Sequence, residues 1–207
     1  MNTEAVKLLK KIEAKEAHIG VIGLGYVGLP LVKTFLQKSF RVTGFDIDQN
    51  KVDMLNRGRS YIRHISAAEL KDFLGRKKFK ASSDFRGLRD VDAILICVPT
   101  PLDGHGGPDL SYVLNSTITV AENLRKGQLV ILESTTYPGT TDEEMLPILE
   151  ASGLRGGRDF FLTGSSILHV ARSRAFTYTH VYVEAPPSAN LAFTLERSEA
   201  RGERFGA

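Results

Sequence analysis

The fold of this chain is decided by the stretch His18-Ile19-Gly20-Val21-Ile22-Gly23-Leu24-Gly25-Tyr26-Val27-Gly28-Leu29-Pro30. An apolar run ends in glycines spaced as G-x-G-x-x-G, and a helical pattern begins near Leu29. In a dinucleotide site Gly23 permits a tight turn, Gly25 lets the backbone approach a pyrophosphate, and Gly28 lets the helix pack close to the strand. The free N–H groups of that helix then face the anion.

Glycines with this spacing also mark ordinary turns, so the next strand decides between the two interpretations. The apolar run Arg41–Phe45 ends at Asp46, close to where an acidic residue meets the adenosine ribose. An acid there favours NAD over NADP, because it repels a 2′-phosphate. A plain strand-turn-helix is the alternative, and we favour the dinucleotide interpretation. Lys51 lies within reach of a ribose edge or an adenosine phosphate, although an ordinary surface lysine has the same pattern.

Composition restricts the class of protein. The 207 residues are 42% hydrophobic and 25% charged, which is ordinary for a globular protein of one domain and a fragment, or of one larger domain. A net charge of +3 is too small to argue for nucleic acid. The single cysteine excludes an internal disulfide, and we expect a cytoplasmic protein. No apolar run is long enough to span a bilayer, so no membrane partner is expected.

Apolar periodicity predicts alternating strands and helices. The segment Arg76–Lys80 is basic and is interpreted as a solvated helix-to-strand connection. In the predicted helix Leu110–Leu124, Val113, Ile118 and Ala121 are expected to face inward. The alternation predicts an α/β fold, a Rossmann-like doubly wound parallel sheet with helices on both faces. The predicted strands are Ile19–Ile22, Arg41–Asp46, Ala93–Val98, Leu129–Leu132 and Phe160–Leu162, and the predicted helices are Val6–Lys15, a helix from about Leu29, Gln49–Arg57, Ala67–Leu74, Leu110–Leu124 and a last one from Thr141 to about Ala151.

Several chemically suggestive residues have ordinary explanations. Cys97 falls within an apolar strand and is interpreted as an inert core thiol. His105 has no visible partner and is interpreted as a loop histidine, so no metal site is predicted. Thr141 with Glu144 three residues later is a capping-box signature, which explains part of the acidic cluster Asp142–Glu144 without catalysis.

Four stretches taken together resemble the UDP-glucose/GDP-mannose dehydrogenase family, and most closely its bacterial UDP-N-acetylglucosamine and UDP-N-acetylmannosamine 6-dehydrogenases. The combination is far more specific than the glycine motif alone, and it covers about residues 17–162. The four stretches are Gly23-Leu24-Gly25-Tyr26-Val27-Gly28-Leu29-Pro30, Gly44-Phe45-Asp46-Ile47-Asp48, Cys97-Val98-Pro99-Thr100-Pro101-Leu102 and Glu133-Ser134-Thr135-Thr136-Tyr137-Pro138-Gly139-Thr140.

The resemblance implies NAD as cofactor and, in full-length members, oxidation of the C6 hydroxymethyl of a UDP-sugar to a carboxylate in two steps. It also implies that Asp46 holds the ribose with Lys51 beside it, and that Thr136 positions a water near the nicotinamide. The implied cofactor-binding residues are Gly23, Gly25, Tyr26, Val27, Gly28, Asp46, Lys51, Val98, Pro99, Thr100, Thr135 and Thr136.

The chain departs from the family after Leu162. The family continues with a Ser-Pro-Glu motif, a central helix, a catalytic cysteine and a second α/β domain, and none of these motifs follows here. We therefore expect a NAD-binding domain over residues 1–162 and an atypical tail over 163–207, frame-shifted or disordered, with a divergent or recruited tail as the alternative. Within the tail, Tyr178–Val183 has the pattern of a strand and Asn190–Arg197 that of a helix.

The expected function follows from this division. The chain is predicted to be the NAD-binding part of a nucleotide-sugar 6-dehydrogenase lineage, truncated before the catalytic cysteine and the sugar-binding domain, and inactive alone. A non-catalytic NAD-binding module and an unstable gene fragment are the alternatives. The resemblance implies that family members dimerise through the central helix. Because no motif of that helix follows here, no oligomer is expected.

Overall fold

A parallel sheet of six strands forms the centre of the molecule. The structure is a computed structural model that describes residues 2–62, 65–102, 104, 107–137, 139–164, 180–183 and 191–194. The strands are β1 (His18–Ile22), β2 (Arg41–Phe45), β3 (Phe79–Ser82), β4 (Ala93–Ile96), β5 (Leu129–Leu132) and β6 (Phe161–Gly164). Their order across the sheet is β3-β2-β1-β4-β5-β6, and every neighbouring pair is parallel. This is the Rossmann-like order, and the predicted fold class is confirmed.

Helices cover both faces of this sheet, and each face has its own apolar core. The helices are α1 (Thr3–Glu13), α2 (Gly28–Gln37), α3 (Gln49–Asn56), α4 (Ala67–Gly75), α5 (Ser111–Ala121) and α6 (Leu146–Glu150). Buried side chains of α1 to α4 form one core with alternate strand residues such as Val21 and Leu95. The opposite core joins α5 and α6 to the remaining strand residues, among them Phe45 and Ile96. The central strands β1, β4 and β5 are therefore buried on both faces, as their continuous apolar runs predict.

The strand order reverses between β1 and β4, and this reversal positions the loops that follow them. Ile22 is in register with Phe45 of β2 and with Ile96 of β4, so the three strands end at the same level. In open α/β sheets the crevice at such a switch point accepts ligands. The loops that begin at Gly23, Asp46 and Cys97 therefore gather at one carboxyl edge.

The predicted helix-to-strand connection at Arg76–Lys80 is shorter than expected, because Phe79 and Lys80 already belong to β3. Phe79 and Ala81 are buried and Lys80 is exposed, so the basic run leads into an alternating edge strand. The Asn56 side chain pairs with the backbone of Ala81, donating to its carbonyl and accepting from its N–H at 2.9 Å each. A strand of four residues is too short for its alternation to stand out among lysines.

The predicted capping box at Thr141 and Glu144 is wrong. Residues Thr140–Met145 form a π-helical turn that begins at Gly139, whose φ is +95°, and no side chain caps it. The Thr140 hydroxyl instead donates to the carbonyl of Tyr137 at 2.8 Å. The preceding loop therefore sets the start of this helix.

The inward face of α5 also differs from the prediction. Val113, Thr117 and Val120 are buried, whereas the Ile118 side chain is 46% exposed. Thr117 satisfies its hydroxyl within the helix by donating to the carbonyl of Val113 at 2.8 Å. In the sequence a threonine counts as polar and is assigned to the exposed face. The predicted inward face of α5 therefore omits Thr117 and includes Ile118 instead.

Few residues beyond Gly164 are described. His180–Val183 and Leu191–Thr194 form an antiparallel pair of strands, so the predicted strand is confirmed there and the predicted helix is wrong over Leu191–Thr194. His105 lies outside the described residues. Within the described ranges, no helix is long and apolar enough to cross a bilayer.

The amino edge of the sheet is closed by a network around Asp92. The Asp92 carboxylate accepts from the His18 N–H at 3.0 Å and from Lys11 and Arg125 at 2.9 Å each. Burial acts to raise the pKa of Asp92, but these three donors outweigh it and the pKa is lowered. The His18 ring contacts the Thr43 hydroxyl at 2.9 Å, and burial, followed by the charge of Arg41, lowers its pKa below 6.5.

We predict that His18 makes the protein less stable in mild acid. Because its folded pKa is lowered, the unfolded chain takes up a proton that the folded chain does not, so stability is lost as pH falls below about 6.5. Urea unfolding at several pH values should show the wild type losing more free energy of unfolding than His18→Gln, with an extra slope of at most about 1.4 kcal/mol per pH unit. The other histidines are common to both proteins and cancel, so equal slopes would contradict the prediction.

Candidate functional site

Leu24 anchors the turn between β1 and α2. Its side chain is fully buried against Gly44, where a Cβ atom would lie 2.6 Å from Leu24 Cδ2. Its N–H donates to Oδ2 of Asp46 at 2.8 Å, and the N–H of Gly23 donates to the carbonyl of Phe45 at 2.8 Å. The glycine turn is therefore fixed to the end of β2 by a side chain and two hydrogen bonds.

Gly23 and Gly28 are required by the shape of this turn. Gly23 has a φ of +89°, and a Cβ there would lie 2.6 Å from the carbonyl oxygen of Cys97. A Cβ at Gly28 would collide with the carbonyl oxygen of Gly23. The first glycine thus makes the turn and the third lets α2 approach the strand, as the spacing predicts.

Gly25 faces open space. A Cβ built there meets no atom within 4 Å, and the next two side chains, Tyr26 and Val27, are 86% and 51% exposed. Helix α2 begins at Gly28 and no side chain caps its start. The Leu29 N–H donates to the Gly25 carbonyl at 3.1 Å and Pro30 has no N–H, so the backbone donors for an anion here are the N–H groups that precede Leu29. Backbone donors beside an open space suit a bound pyrophosphate.

Asp46 places a buried carboxylate beside this opening. The residue is 6% exposed; Oδ2 accepts from Leu24, and Oδ1 accepts from the N–H of Asp48 at 2.9 Å. Two backbone bonds leave part of the accepting capacity of a carboxylate unused. The Lys51 ammonium lies 3.5 Å from Oδ2, so the structure brings these two residues together.

The loops after β4 and β5 complete the edge. The Ser134 hydroxyl is buried and donates to the carbonyl of Val98 at 2.7 Å, which joins the two loops. Val98 and Thr100 are half-buried and Pro99 is exposed. Thr135 is exposed and Thr136 half-buried directly after this link.

Cys97 lies beneath the glycine turn and is not available as a nucleophile. It is buried, and burial, followed by the charge of Glu133, raises the pKa of its thiol well above the usual value. A protonated buried thiol does not attack a carbonyl carbon at neutral pH. The interpretation of Cys97 as a core thiol is consistent with this position.

A glycine turn at the switch point, an uncapped helix start and a buried aspartate at the end of β2 define a dinucleotide-binding domain of the Rossmann type. Residues 17–164 match the UDP-glucose/GDP-mannose dehydrogenase family, NAD binding domain. The chain belongs to this family, and these residues are its NAD-binding domain.

Curated relatives and solved structures agree with this family. The chain is 40% identical over 148 residues to the UDP-N-acetyl-D-glucosamine 6-dehydrogenase of Pseudomonas aeruginosa, covering 71% of this chain and 34% of that protein. It is 36% identical over 197 residues to the UDP-N-acetyl-D-mannosamine dehydrogenase of Pyrococcus horikoshii, covering 91% and 46%. The solved structure of the Pyrococcus horikoshii dehydrogenase superimposes with a TM-score of 0.67 at 38% identity, covering 77% of this chain and 37% of that one. The chain thus spans between a third and a half of these relatives.

Sequence reasoning missed three residues that shape the site. Leu24 and Ser134 stand inside the quoted motifs, but only the structure shows that they anchor the turn and join two loops. Tyr61, in a segment with no motif, donates its hydroxyl to the carbonyl of Leu24 at 2.5 Å. The role of Leu24 has one sign in the sequence: the glycine at position 44, which leaves room for the Leu24 side chain.

We predict that Gly25→Ala separates binding from folding. A methyl group at Gly25 meets no protein atom but fills the space in front of the helix start, so NAD affinity should fall by more than about tenfold with little change in thermal midpoint. Gly28→Ala should instead lower the midpoint, because its methyl group collides with Gly23.

The matched control is Gly75→Ala. Gly75 ends α4 and also has open space around its Cβ position, so its replacement should change neither the NAD affinity nor the fold. Isothermal titration and thermal unfolding measure the two quantities. NAD affinity of Gly25→Ala equal to that of Gly75→Ala would show that the cofactor does not cross this turn.

Proposed function

We propose that the chain binds NAD across the carboxyl edge of the sheet and provides the cofactor half of a nucleotide-sugar 6-dehydrogenase. The observation that carries the proposal is the buried Asp46 carboxylate, positioned by the same backbone that leaves Gly25 open. An adenosine ribose needs an acceptor for its two hydroxyls, and a pyrophosphate needs uncovered N–H groups. The two groups belong to neighbouring loops, which the hydrogen bond from Leu24 to Asp46 joins.

The proposed contacts follow the order of the strands. Gly23 to Gly28 line the pyrophosphate, and Asp46 accepts from the ribose while Lys51 neutralises part of the negative charge. Val98 to Thr100 lie along the cofactor, and Ser134 holds their loop against the next one. NAD supplies the hydride acceptor when bound. Thr135 and Thr136 lie beside the nicotinamide, where the Thr136 hydroxyl orients a water.

We propose a UDP-N-acetylhexosamine as the substrate class of the whole enzyme. Support comes from relatives named UDP-N-acetyl-D-glucosamine 6-dehydrogenase and UDP-N-acetyl-D-mannosamine dehydrogenase. Oxidation of C6 to a carboxylate in this family needs a nucleophilic thiol. Cys97 is the single cysteine of these 207 residues and is buried, so the 207-residue chain is proposed to bind NAD without turning over a sugar.

The remaining predictions concern the surroundings of this domain. A boundary at Leu162 stays a prediction, although β6 continues through Gly164. A match over 91% of the chain reaches beyond Gly164, which supports a divergent tail over a frame shift, and sequencing the gene would decide.

A cytoplasmic location is proposed from the single, reduced cysteine. A non-catalytic NAD-binding module remains the second candidate function, supported by the unreactive position of Cys97.

We predict that the purified chain quenches or enhances NADH fluorescence on binding and prefers NADH to NADPH by more than about tenfold, because Asp46 repels a 2′-phosphate. Asp46→Ala should weaken NADH binding and reduce the preference. Lys80→Ala, an exposed change on β3, is the matched control and should alter neither. Absence of binding by the folded wild-type chain would refute the proposed function.

A second prediction tests whether the chain alone oxidises a UDP-sugar. Mixed with NAD and UDP-N-acetylglucosamine, the chain should produce no NADH above background absorbance at 340 nm, since it carries no accessible thiol. A full-length homologue assayed in parallel verifies the reagents. Measurable turnover by the 207-residue chain would place the catalytic groups within it and contradict this account.

A further inference from the structure

We propose that Tyr61 is a positioning residue of the NAD site, which fixes the glycine turn in the geometry that accepts a pyrophosphate. The proposal rests on the proposed function and adds to it a residue that lies outside the glycine motif. It assigns a role to the segment between α3 and α4, which carries no motif.

The evidence begins with the two backbone groups of Leu24. Its N–H donates to Asp46 at 2.8 Å, and its carbonyl accepts from the Tyr61 hydroxyl at 2.5 Å. Leu24 is fully buried, so water does not replace either partner. The N–H and the carbonyl of Leu24 are therefore both bonded, and rotation of the peptide that leads into Gly25 is restricted.

The residues before and after Tyr61 hold its side chain in position. After α3, the N–H of Gly58 bonds to the carbonyl of Leu55 at 2.9 Å, which ends the helix and reverses the chain. Ile62 and Ile65, the described residues before and after positions 63 and 64, are buried. Ser66 begins α4 with a complete capping box. Tyr61 itself packs against the first apolar core. The tyrosine is thus fixed at both ends of its segment.

The charges around the hydroxyl keep it protonated. Burial is the largest cause that raises the pKa of Tyr61, and the carboxylates of Asp46 and Asp48 raise it further. A phenol with a raised pKa stays protonated at neutral pH and can donate to the Leu24 carbonyl.

Loss of this bond should affect binding through the population of the turn. Without the hydroxyl, the peptide between Leu24 and Gly25 is free to rotate, and the apparent dissociation constant rises in inverse proportion to the fraction that remains competent. One buried hydrogen bond corresponds to a change of roughly threefold to tenfold. The ribose contact at Asp46 does not depend on that rotation, because Asp46 is also held by the N–H of Asp48.

The test compares Tyr61→Phe with Tyr112→Phe by isothermal titration with NAD, ADP-ribose and adenosine. Tyr112 is 47% exposed on α5, on the opposite face of the sheet, and serves as the control. Tyr61→Phe should raise the dissociation constants of NAD and ADP-ribose roughly threefold to tenfold, while adenosine changes less than about twofold. Its thermal midpoint should fall by only about 2–6 °C, because one buried hydrogen bond is lost while the ring still fills the core.

The outcomes are distinguishable. Equal affinities of Tyr61→Phe and wild type for ADP-ribose would overturn the proposal and leave the proposed function intact. A uniform loss of affinity for all three ligands would assign Tyr61 a structural role, which also overturns it. If the folded wild-type chain binds none of the three ligands, the proposed function fails and this inference fails with it.

Discussion

The hydrogen bond from the Leu24 N–H to the Asp46 carboxylate links the ends of two neighbouring strands, and the arrangement of the site depends on it. It fixes the turn after β1 and at the same time orients the acid after β2. The side chain of Leu24 fills the space above Gly44, which prevents the turn from moving away from the sheet. Because the residue is buried, the bond is protected from water and costs more to break than a surface contact. One residue thereby sets the relative position of the groups proposed to bind phosphate and ribose.

The two edges of the sheet show what a buried aspartate can do in different surroundings. Asp92 at the amino edge meets two cationic side chains and a backbone N–H, so its charge is fully compensated. Asp46 at the carboxyl edge has two backbone donors and one lysine 3.5 Å away, next to open space. The first arrangement stabilises the fold and the second leaves accepting capacity for a ligand. The same residue type is thus structural at one end of the strands and suited to binding at the other.

The sequence predicts those features that depend on local pattern. Glycine spacing, the apolar strands and the acid after β2 give the Rossmann-like fold and most of the proposed cofactor residues, because each reflects a requirement within a few residues. The errors arise where other contacts override the local pattern. The strand β3 is short and preceded by lysines, so its alternation is not evident. Thr117 is buried because its hydroxyl bonds its own helix, and the turn at Thr140 is set by the loop before it. Tyr61 could not be predicted, since its partner lies 37 residues away and the bond leaves no local signature.

The most direct test of this account is the change in backbone amide NMR signals when NAD is added to the chain. Binding at the carboxyl edge should shift the amides of Gly23 to Gly28 and those that follow β2 and β4, while the amides around His18 and Asp92 at the amino edge keep their positions. Shifts confined to the amino edge, or no shifts at saturating NAD, would contradict the central claim that the turn fixed by Leu24 and Asp46 is the place where the dinucleotide binds.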